Sequence, residues 1–363
     1  MRSIIVNGSF LKRQVTGVAR YAREVTKRLL QHENVLVACD DLSVCTELDP
    51  QRVLHVPRSW AGRALGSKAW SQLDLPRRVG SHVLWSAENI GPLGVRNHVL
   101  TIYDIAALEH PEWFRCDFVA TYRFYLPRLI KQVKAVTTIS EYSRARIVEW
   151  FRLSEEQVSV APCAVDARFQ PCPTHEIAAV RGRYNLPERY ILSVSSLEPR
   201  KNLRNLLEAW RRLAEQDRDG VGLVIAGERG KVFANDDYRM LLERLPSVTF
   251  TGYFPDGDLP ALYSGALGLV YPSLYEGFGL PPLEAMACGT PVITCNNTSL
   301  PEVVGEDALF VEPLEPDSIA GALALLIKDE PLRLKLAQRG RQRAGLFDWD
   351  RSAQLIYRKL DAV

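Results

Sequence analysis

Two pairs of charged residues have the chemistry needed to bind phosphate groups and hydroxyl groups. Arg200 and Lys201 follow a predicted strand, and Glu276 and Glu284 lie before and after a glycine-containing turn. A guanidinium group binds phosphate through paired hydrogen bonds, and an ammonium group acts as a point charge. A carboxylate repels phosphate, so the glutamates are predicted to accept hydrogen bonds from sugar or ribose hydroxyls. The simpler alternatives are solvated surface cations and, for Glu284, a carboxylate favoured at a helix start.

The turn between the two glutamates predicts an anion-binding helix end. A predicted strand ends at Tyr271, and Gly277 and Gly279 allow backbone conformations that other residues resist. Pro281 and Pro282 then stand where a first helical turn tolerates proline. The first amides of a helix lack partners within it and carry partial positive charge, which favours phosphate. The segment therefore predicts a phosphate site, although the sequence contains no GxxxxGK[ST] loop.

The elements that must position these residues alternate between short apolar strands and amphipathic helices. Near-continuous apolar runs separated by helices indicate parallel sheets covered on both faces. The pattern breaks around residues 165–180, where two prolines and no periodicity indicate a linker, and it restarts with a strand at 190–195. Later predicted helices include 202–215, 237–245 and 280–288. We therefore predict an α/β fold of two Rossmann-like, doubly wound domains, residues 1–168 and 177–345, facing a central cleft.

The composition argues against several other classes of protein. The 363 residues are 47% hydrophobic and 24% charged with a formal net charge of +2, so no basic face predicts a nucleic-acid partner. No apolar run approaches the roughly 20 residues that span a membrane, and the N-terminus does not resemble a secretion signal. We therefore expect a cytoplasmic protein. The seven cysteines and six histidines lack metal-ligand spacing, so we expect reduced thiols, no metal and no cofactor.

Several motifs resemble those of one enzyme family, the GT4 glycosyltransferases, which have the GT-B fold. The segment LYEGFGLPPLEAMACGTPVI, which contains Glu276 and Glu284, is similar to their paired-glutamate motif. The segment LEPRKNL at 197–203 resembles their donor-phosphate loop, and TGVARY at 16–21 resembles their N-terminal glycine loop. The resemblance covers nearly the whole chain and implies that the final helix, within 346–363, packs back on the first domain.

The resemblance also implies a role for each candidate residue in a retaining, metal-independent transfer from a nucleotide-diphospho-sugar. It implies that Glu276 contacts the donor sugar, that Glu284 holds the ribose, and that Arg200 and Lys201 stabilise the leaving diphosphate. A β-phosphate oxygen would deprotonate the acceptor, so no metal is needed. The remaining implied donor-binding residues are Gly17, Gly277, Phe278, Gly279 and Leu280 near the phosphates and sugar, and Tyr253 and Phe254 near the base.

One position departs from the family pattern. Many relatives carry His-Asp after the strand near residue 101, and this chain has Tyr103 and Asp104. In those relatives the histidine contacts the donor sugar, so the resemblance implies that Tyr103 and Asp104 lie beside that sugar. A tyrosine can donate and accept one hydrogen bond there. Ala164 and Asn202 stand where glycine is common in relatives.

The segments WSAENIGPL at 85–93 and HPEWF at 110–114 resemble bacterial polysaccharide and O-antigen mannosyltransferases. They favour GDP-mannose as donor and a saccharide or lipid-linked saccharide as acceptor, which the first domain is expected to hold. Residues 121–134 and 58–78 combine aromatic and basic residues, including Trp60 and Trp70, which could rest on the anionic inner membrane. The alternative for these segments is a helix with its aromatic residues in the core and its basic residues in water.

Two other functions remain open at this point. A nucleotide-sugar 2-epimerase can have the same fold, although such enzymes lack this context around the glutamates. A non-catalytic protein that binds a sugar nucleotide or a partner is the other, and Tyr103 in place of histidine is the sequence argument for it.

Overall fold

The computed structural model describes residues 2–12, 16–66, 69–194, 198–227, 245 and 247–363. The chain divides into two compact units, Met1–Cys163 with Asp348–Val363, and Ala164–Phe347. The first boundary thus lies between Cys163 and Ala164. The sequence analysis instead ended the first domain at residue 168.

The first unit contains a parallel sheet with seven strands in its described part, in the order β3-β2-β1-β4-β5-β6-β7. Consecutive buried residues, such as the four of the first strand, place the sheet in the interior with both faces covered. The chain runs outward from β1 to β3 and returns to β4 on the other side of β1, which makes the carboxyl ends of β1 and β4 a topological switch point. The strands are β1 (Ile4–Asn7), β2 (Val35–Cys39), β3 (Val53–His55), β4 (Val83–Ser86), β5 (His98–Thr101), β6 (Ala135–Thr138) and β7 (Val158–Val160).

The helices of the first unit cover the two faces of this sheet. The first begins where the Thr16 side chain accepts a hydrogen bond from the amide of Ala19, as an N-cap residue does. They are α1 (Gly17–Leu29), α2 (Trp60–Leu65), α3 (Leu75–Val79), α4 (Ala106–Glu109), α5 (Cys116–Gln132) and α6 (Glu141–Phe151). The sequence pattern did not indicate α2, α3 or α4, because each is too short to show a helical period.

The second unit contains a parallel sheet with six strands among its described residues, in the order β10-β9-β8-β11-β12-β13. Its switch point lies between β8 and β11, the first strand of this unit and the first strand after the reversal. The strands are β8 (Tyr190–Val194), β9 (Gly222–Ala226), β10 (Val248–Gly252), β11 (Gly268–Tyr271), β12 (Val292–Cys295) and β13 (Leu309–Val311). The last of these, three residues long, is absent from the sequence prediction.

The helices of the second unit correct the predicted linker at one point. Residues Thr174–Arg183, expected in part to be linker, form a helix that follows Pro173. This helix buries only Val180, so it lacks the apolar stripe by which a helix is found in a sequence. The predicted helix at 237–245 lies outside the described residues except for Leu245. The described helices are α7 (Thr174–Arg183), α8 (Leu203–Arg212), α9 (Glu215–Arg218), α10 (Leu259–Ser264), α11 (Leu280–Ala287), α12 (Leu300–Val304), α13 (Pro316–Lys328) and α14 (Glu330–Ala344).

The final helix, α15 (Trp349–Asp361), belongs to the first unit and packs against α1. The rings of Trp349 and Tyr21 meet edge to face with centroids 5.6 Å apart, and the Ser352 hydroxyl donates to the carbonyl of Pro162 at 2.6 Å. Asp350 pairs with Arg28 at 2.7 Å. The helix therefore joins the first unit through apolar, hydrogen-bonded and ionic contacts.

A histidine lies in the core of the first unit. His98 is fully buried, and its Nε2 lies 2.9 Å from the Ser86 hydroxyl on the neighbouring strand. Gly91 packs so close to the ring that a Cβ atom there would lie 2.5 Å from it. Burial lowers the pKa of His98 to about 3, because the apolar surroundings disfavour the charged ring.

The acid stability of the first unit should depend on His98. An unfolded histidine has a pKa of about 6.5, so between pH 6.5 and 3 the unfolded chain binds a proton that the folded chain does not. The contribution of His98 is therefore complete above pH 6.5 and is lost as the pH falls toward 3. The unfolding free energy of the wild type should therefore fall as the pH is lowered from 6.5 toward 3. We expect His98→Gln to reduce that slope by up to about 1.4 kcal/mol per pH unit, measured by urea denaturation.

The exposed His55 at the end of β3 provides the control. The His55→Gln variant should keep the wild-type dependence of stability on pH. Equal slopes for wild type and His98→Gln between pH 6 and 4 would contradict the prediction.

Candidate active site

The loop after β8 places the two predicted phosphate ligands. Pro199–Lys201 form one short turn of 3₁₀ helix, and Asn202 then adopts a left-handed conformation with φ of 58° before α8 begins. Asparagine tolerates this conformation better than most residues, which explains how it replaces the glycine common in relatives. Its side-chain amide also donates to the carbonyls of Pro272 and Pro313, at 3.0 and 2.6 Å. These two bonds hold the loop after β8 against the segments that follow β11 and β13.

The loop after β11 is hydrogen-bonded directly to the loop after β8. The amide of Leu274 donates to the carbonyl of Arg200 at 2.7 Å. The side-chain amide of Asn297 lies 3.3 and 3.1 Å from the carbonyls of Ser273 and Leu274. The first bond joins the two loops at the switch point of the second sheet, and the contacts of Asn297 hold the loop after β11 against the segment after β12.

The glycine turn that follows is held by one hydroxyl and by a steric requirement. The hydroxyl of Ser299 lies 2.8 Å from the carbonyls of both Glu276 and Phe278. Gly279 has φ of 112°, and a Cβ atom there would lie 2.9 Å from the Leu300 side chain. Glycine is therefore needed at this position both for its backbone conformation and for space.

The side chains of Arg200, Lys201 and Glu276 form one buried charge cluster. Lys201 Nζ lies 2.6 Å from Glu276 Oε1, and Arg200 Nη1 lies 3.0 Å from Glu276 Oε2. The exposed fractions of these side chains are 10% for Lys201, 21% for Arg200 and 9% for Glu276. Arg200 also pairs at 2.6 Å with Glu198, which is more exposed. Three predicted catalytic residues thus come together, and each predicted phosphate ligand already bonds a carboxylate.

The cluster keeps the glutamate ionised. Burial alone would raise the pKa of Glu276, but the charges of Lys201 and Arg200 and the hydrogen bonds to the carboxylate outweigh it and hold this pKa at about 2. Burial lowers the pKa of Lys201 below its ordinary value, and the attraction of Glu276 opposes this shift. Removal of the carboxylate would therefore lower the pKa of Lys201 further.

Tyr271 is a member of this cluster that the sequence analysis did not identify as functional. Its hydroxyl accepts from Lys201 Nζ at 2.5 Å and donates to Glu276 Oε1 at 2.8 Å. The residue is 2% exposed and is the last of β11, so its sequence position indicated only the end of an apolar strand. The tyrosine bridges the cation and the carboxylate and fixes the distance between them.

The helix end at α11 can offer fewer amides than its position first indicates. Pro281 and Pro282 follow Leu280 at the start of the helix, and proline has no N–H. Leu280 opens the helix, so its amide has no partner one turn earlier. The backbone donors predicted to meet phosphate and sugar are the amides of Phe278, Gly279 and Leu280, which lie in or directly after the turn.

The second glutamate lies deeper than the first. Glu284 is 3% exposed within α11, and its Oε2 accepts from the Tyr263 hydroxyl at 3.1 Å. Burial raises the pKa of Tyr263, and the nearby Glu284 charge adds to that shift. Glu284 is thus fixed in position by α10, and its predicted role toward ribose stays a prediction.

The two aromatic residues predicted near the base follow β10. Gly252 ends that strand with φ of 70°, and the next residue, Tyr253, is 74% exposed. Phe254 is half-buried. An exposed ring immediately after a strand end is available for stacking on a base, and this role also stays a prediction.

The candidate residues of the first unit have different surroundings. Gly17 is exposed at the start of α1. Tyr103 is 4% exposed, and its hydroxyl donates to the carbonyl of Ala87 at 2.6 Å. The carbonyl of Val18 also lies 3.2 Å from this hydroxyl. The hydroxyl is therefore used inside the first unit, by the main chain. The Asp104 carboxylate accepts from the amide of Ala106 at 3.1 Å and so supports the turn into α4.

The described parts of the chain contain neither a candidate membrane span nor a candidate metal cluster. No helix there has both the length and the apolar composition that crossing a bilayer requires. Nor do three or more His, Cys, Asp or Glu side chains cluster in these parts as a metal site would require. The expectations of a metal-free reaction and of no nucleic-acid partner stay predictions.

Comparison with known proteins identifies the family. Residues 178–343 match the family described as Glycosyl transferases group 1. O-antigen chain mannosyltransferase B of Escherichia coli is 35% identical over 263 residues, which are 71% of this chain and 68% of that protein. The chain belongs to the group 1 glycosyltransferases. The predicted resemblance to the GT4 and O-antigen mannosyltransferases is thereby confirmed.

Two further similarities define how far this assignment reaches. The serotype-specific mannosyltransferase WbdA of Escherichia coli is 33% identical over 244 residues. The match covers 64% of this chain but only 29% of the length of WbdA. The crystal structure of Anabaena HepE in complex with UDP-glucose has a TM-score of 0.77 over all of both chains, at 17% identity. That similarity shows the fold, and the predicted α/β class with two Rossmann-like domains is confirmed.

The charge balance of the cluster makes a testable prediction for this glycosyltransferase. In Glu276→Gln, Arg200 and Lys201 lose the carboxylate that now competes with an incoming anion. We therefore expect inorganic pyrophosphate to bind about tenfold more tightly, as loss of one like-charge repulsion allows. The same change leaves buried cations without their partner, so the melting temperature should fall. Calorimetric titration and thermal unfolding measure the two effects.

Glu198→Gln is the matched control, since Glu198 pairs with Arg200 but is 43% exposed. Solvent screens that carboxylate, so both changes should be small. Pyrophosphate binding that is unchanged or weaker in Glu276→Gln would show that Arg200 and Lys201 do not hold the anion.

Proposed function

We propose that this protein is a retaining mannosyltransferase that moves mannose from GDP-mannose to a saccharide or lipid-linked saccharide acceptor in polysaccharide synthesis. The observation that carries the proposal is the Arg200–Lys201–Glu276 cluster at the switch point of the second sheet. Ligands of doubly wound sheets bind at that point, and the cluster supplies both phosphate-binding cations and a carboxylate for hydroxyl groups. The two mannosyltransferase relatives support mannose as the transferred sugar.

The difficult step is departure of the nucleoside diphosphate. Breaking the anomeric bond leaves an oxocarbenium-like sugar and develops negative charge on the diphosphate. Arg200 and Lys201 would stabilise that charge, and being already fixed by Glu276 and Tyr271 they need little reorganisation. A β-phosphate oxygen of the donor would take the acceptor proton on the same face, which gives retention and requires no metal.

Glu276 would exchange partners when the donor binds. The carboxylate now bonds two cations and Tyr271, and diphosphate would take over part of the cation bonding. The carboxylate oxygens released would then accept hydrogen bonds from hydroxyls of the donor sugar, which is the role that the family resemblance implies. A carboxylate with a pKa of about 2 remains an acceptor throughout the physiological pH range.

Replacement of either cation should reduce turnover, and it should also lower the melting temperature because the buried Glu276 carboxylate loses a partner. We expect Arg200→Ala and Lys201→Ala each to lower kcat by about 10²–10³-fold, the usual cost of removing one preorganised electrostatic group. Arg204→Ala is the control, because Arg204 is exposed on the following helix α8. The measurement is formation of mannosylated product from GDP-mannose. Turnover within about twofold of wild type in both variants would exclude this role.

The donor can be identified without knowing the acceptor. We expect GDP-mannose to raise the melting temperature more than UDP-, ADP- or dTDP-sugars do, since a ligand stabilises the folded state by mass action. Slow donor hydrolysis then separates the alternatives: free mannose released as the α-anomer supports retention, an epimerised sugar supports a 2-epimerase, and tight binding without turnover supports a non-catalytic protein. A larger shift with another nucleotide sugar would replace GDP-mannose in the proposal.

We also propose that the exposed side of α5 contacts the anionic cytoplasmic membrane. Tyr122 lies in the core, as the alternative for this segment predicted, but Phe118 and Phe124 are 42% and 48% exposed. Arg128 lies 4.0 Å from the centre of the Phe124 ring, and Arg123 is exposed beside them. Exposed rings among basic residues suit the interface of an anionic bilayer. Trp70 takes no part, because it is 1% exposed.

Vesicle flotation tests this surface. Wild-type protein should float with vesicles that contain phosphatidylglycerol at low salt and be released at high salt, because the basic residues supply part of the affinity. Phe124→Ser together with Arg128→Ser should remove most of the binding. Leu334→Ser is the control, since Leu334 is 66% exposed in the other unit. No flotation of wild type at low salt would end the proposal.

A further inference from the structure

The two sheets share one topology, so they have corresponding switch points. In the second unit the loops after β8 and β11 supply Arg200, Lys201 and Glu276. In the first unit the corresponding strands are β1 and β4. They are also neighbouring parallel strands, and the order in which strands are added to the sheet reverses between them. The loops after these two strands contribute Ser9 and Glu88. A binding site is expected at this position in a doubly wound sheet.

Ser9 and Glu88 join the two loops across the switch point. The hydroxyl of Ser9 donates to Glu88 Oε2 at 2.6 Å. The amide of Ser9 in turn donates to the side chain of Asn7 at 3.3 Å. Gly8 allows this turn, because a Cβ atom there would lie 2.4 Å from the carbonyl of Ala38. The pair is therefore held in place by the ends of β1 and β2.

The loop that carries Glu88 is fixed from its other side as well. The side chain of Asn89 accepts from the amide of Tyr103 at 2.7 Å and bonds the Tyr122 hydroxyl at 2.6 Å. The Tyr103 hydroxyl donates to the carbonyl of Ala87. Both neighbours of Glu88 are thus anchored, to Tyr103 in the segment after β5 and to α5, and the carboxylate is preorganised as binding residues are.

The chemistry of this position suits a ligand rich in hydroxyl groups. Glu88 is 7% exposed, and burying a carboxylate costs more free energy than burying an amide that could accept the same bond from Ser9. The carboxylate of Glu88 and the hydroxyl oxygen of Ser9, whose hydrogen is donated to Glu88, can both accept hydrogen bonds from neighbouring hydroxyls of a sugar ring. The corresponding loops of the second unit present a guanidinium and an ammonium group, which suit phosphate instead.

We propose that Ser9 and Glu88 bind hydroxyl groups of the acceptor saccharide. The assignment to the acceptor, as opposed to the donor, rests on the proposed function, in which the second unit takes the nucleotide sugar. Glu88 then determines which acceptor is used, because a carboxylate held by a fixed loop selects hydroxyls at one spacing and orientation. Tyr103 contributes by holding the loop and is a positioning residue.

Direct binding of a saccharide tests the proposal without requiring turnover. The probe is methyl α-mannobioside at millimolar concentration, observed by saturation-transfer NMR on the whole protein. Wild type should show saturation transfer, and Glu88→Gln and Ser9→Ala should weaken binding by about tenfold or more, as loss of one charge-assisted hydrogen bond does. Glu109→Gln is the matched control, since Glu109 is also buried in the first unit and pairs with Arg146. Glu276→Gln should keep saccharide binding.

Each outcome bears on the proposal. Saccharide binding that is equal in wild type, Glu88→Gln and Ser9→Ala, or absent from wild type, would overturn it. Equal loss in Glu88→Gln and Glu109→Gln would also overturn it, because the effect would then come from the fold. The GDP-mannose melting shift is measured on the same variants and should be unchanged in Glu88→Gln. Saccharide binding without a GDP-mannose shift would contradict the proposed donor and leave the saccharide site standing.

Discussion

The buried ion pairs of Glu276 with Lys201 and Arg200 fix the relation between the two loops that form the candidate site. A carboxylate that is 9% exposed would be costly to ionise without partners, and two cations from another loop make ionisation favourable. Those cations are in reach only because β8 and β11 are neighbours in the sheet. The strand order, the two loop conformations and the charge state of the site are therefore consequences of one another.

The same ion pairs explain how a phosphate-binding site can exist before phosphate arrives. Two like charges from adjacent residues, both largely buried, would repel each other without an anion between them. Glu276 takes the place of that anion, and Tyr271 holds it at a fixed distance from Lys201. A donor would replace one set of ionic bonds with another. Binding would then be favourable mainly to the extent that diphosphate carries more charge than one carboxylate.

Much of this arrangement could be predicted from the residues, and the failures have identifiable causes. Apolar runs gave twelve of the thirteen strands in the described residues, or their cores, and the Gly279 turn followed from its glycines and prolines. Helix Thr174–Arg183 was missed because it buries only Val180. Tyr271 was missed because a strand-terminal tyrosine gives no sign of where its hydroxyl points. The predicted contact of Tyr103 with the donor sugar stays a prediction. The main-chain partner of its hydroxyl could not be predicted, because that bond joins residues separated in sequence.

The correspondence between the two sheets gives a physical reason for the proposed binding of different substrates by the two units. Both switch points carry a buried glutamate, Glu88 in one and Glu276 in the other. Their partners differ, because Glu88 accepts from the hydroxyl of Ser9 whereas Glu276 bonds Arg200 and Lys201. A hydroxyl and a carboxylate discriminate among sugars by geometry, and fixed cations discriminate for charge. One topology, used twice with different loop residues, can therefore bind two chemically different substrates.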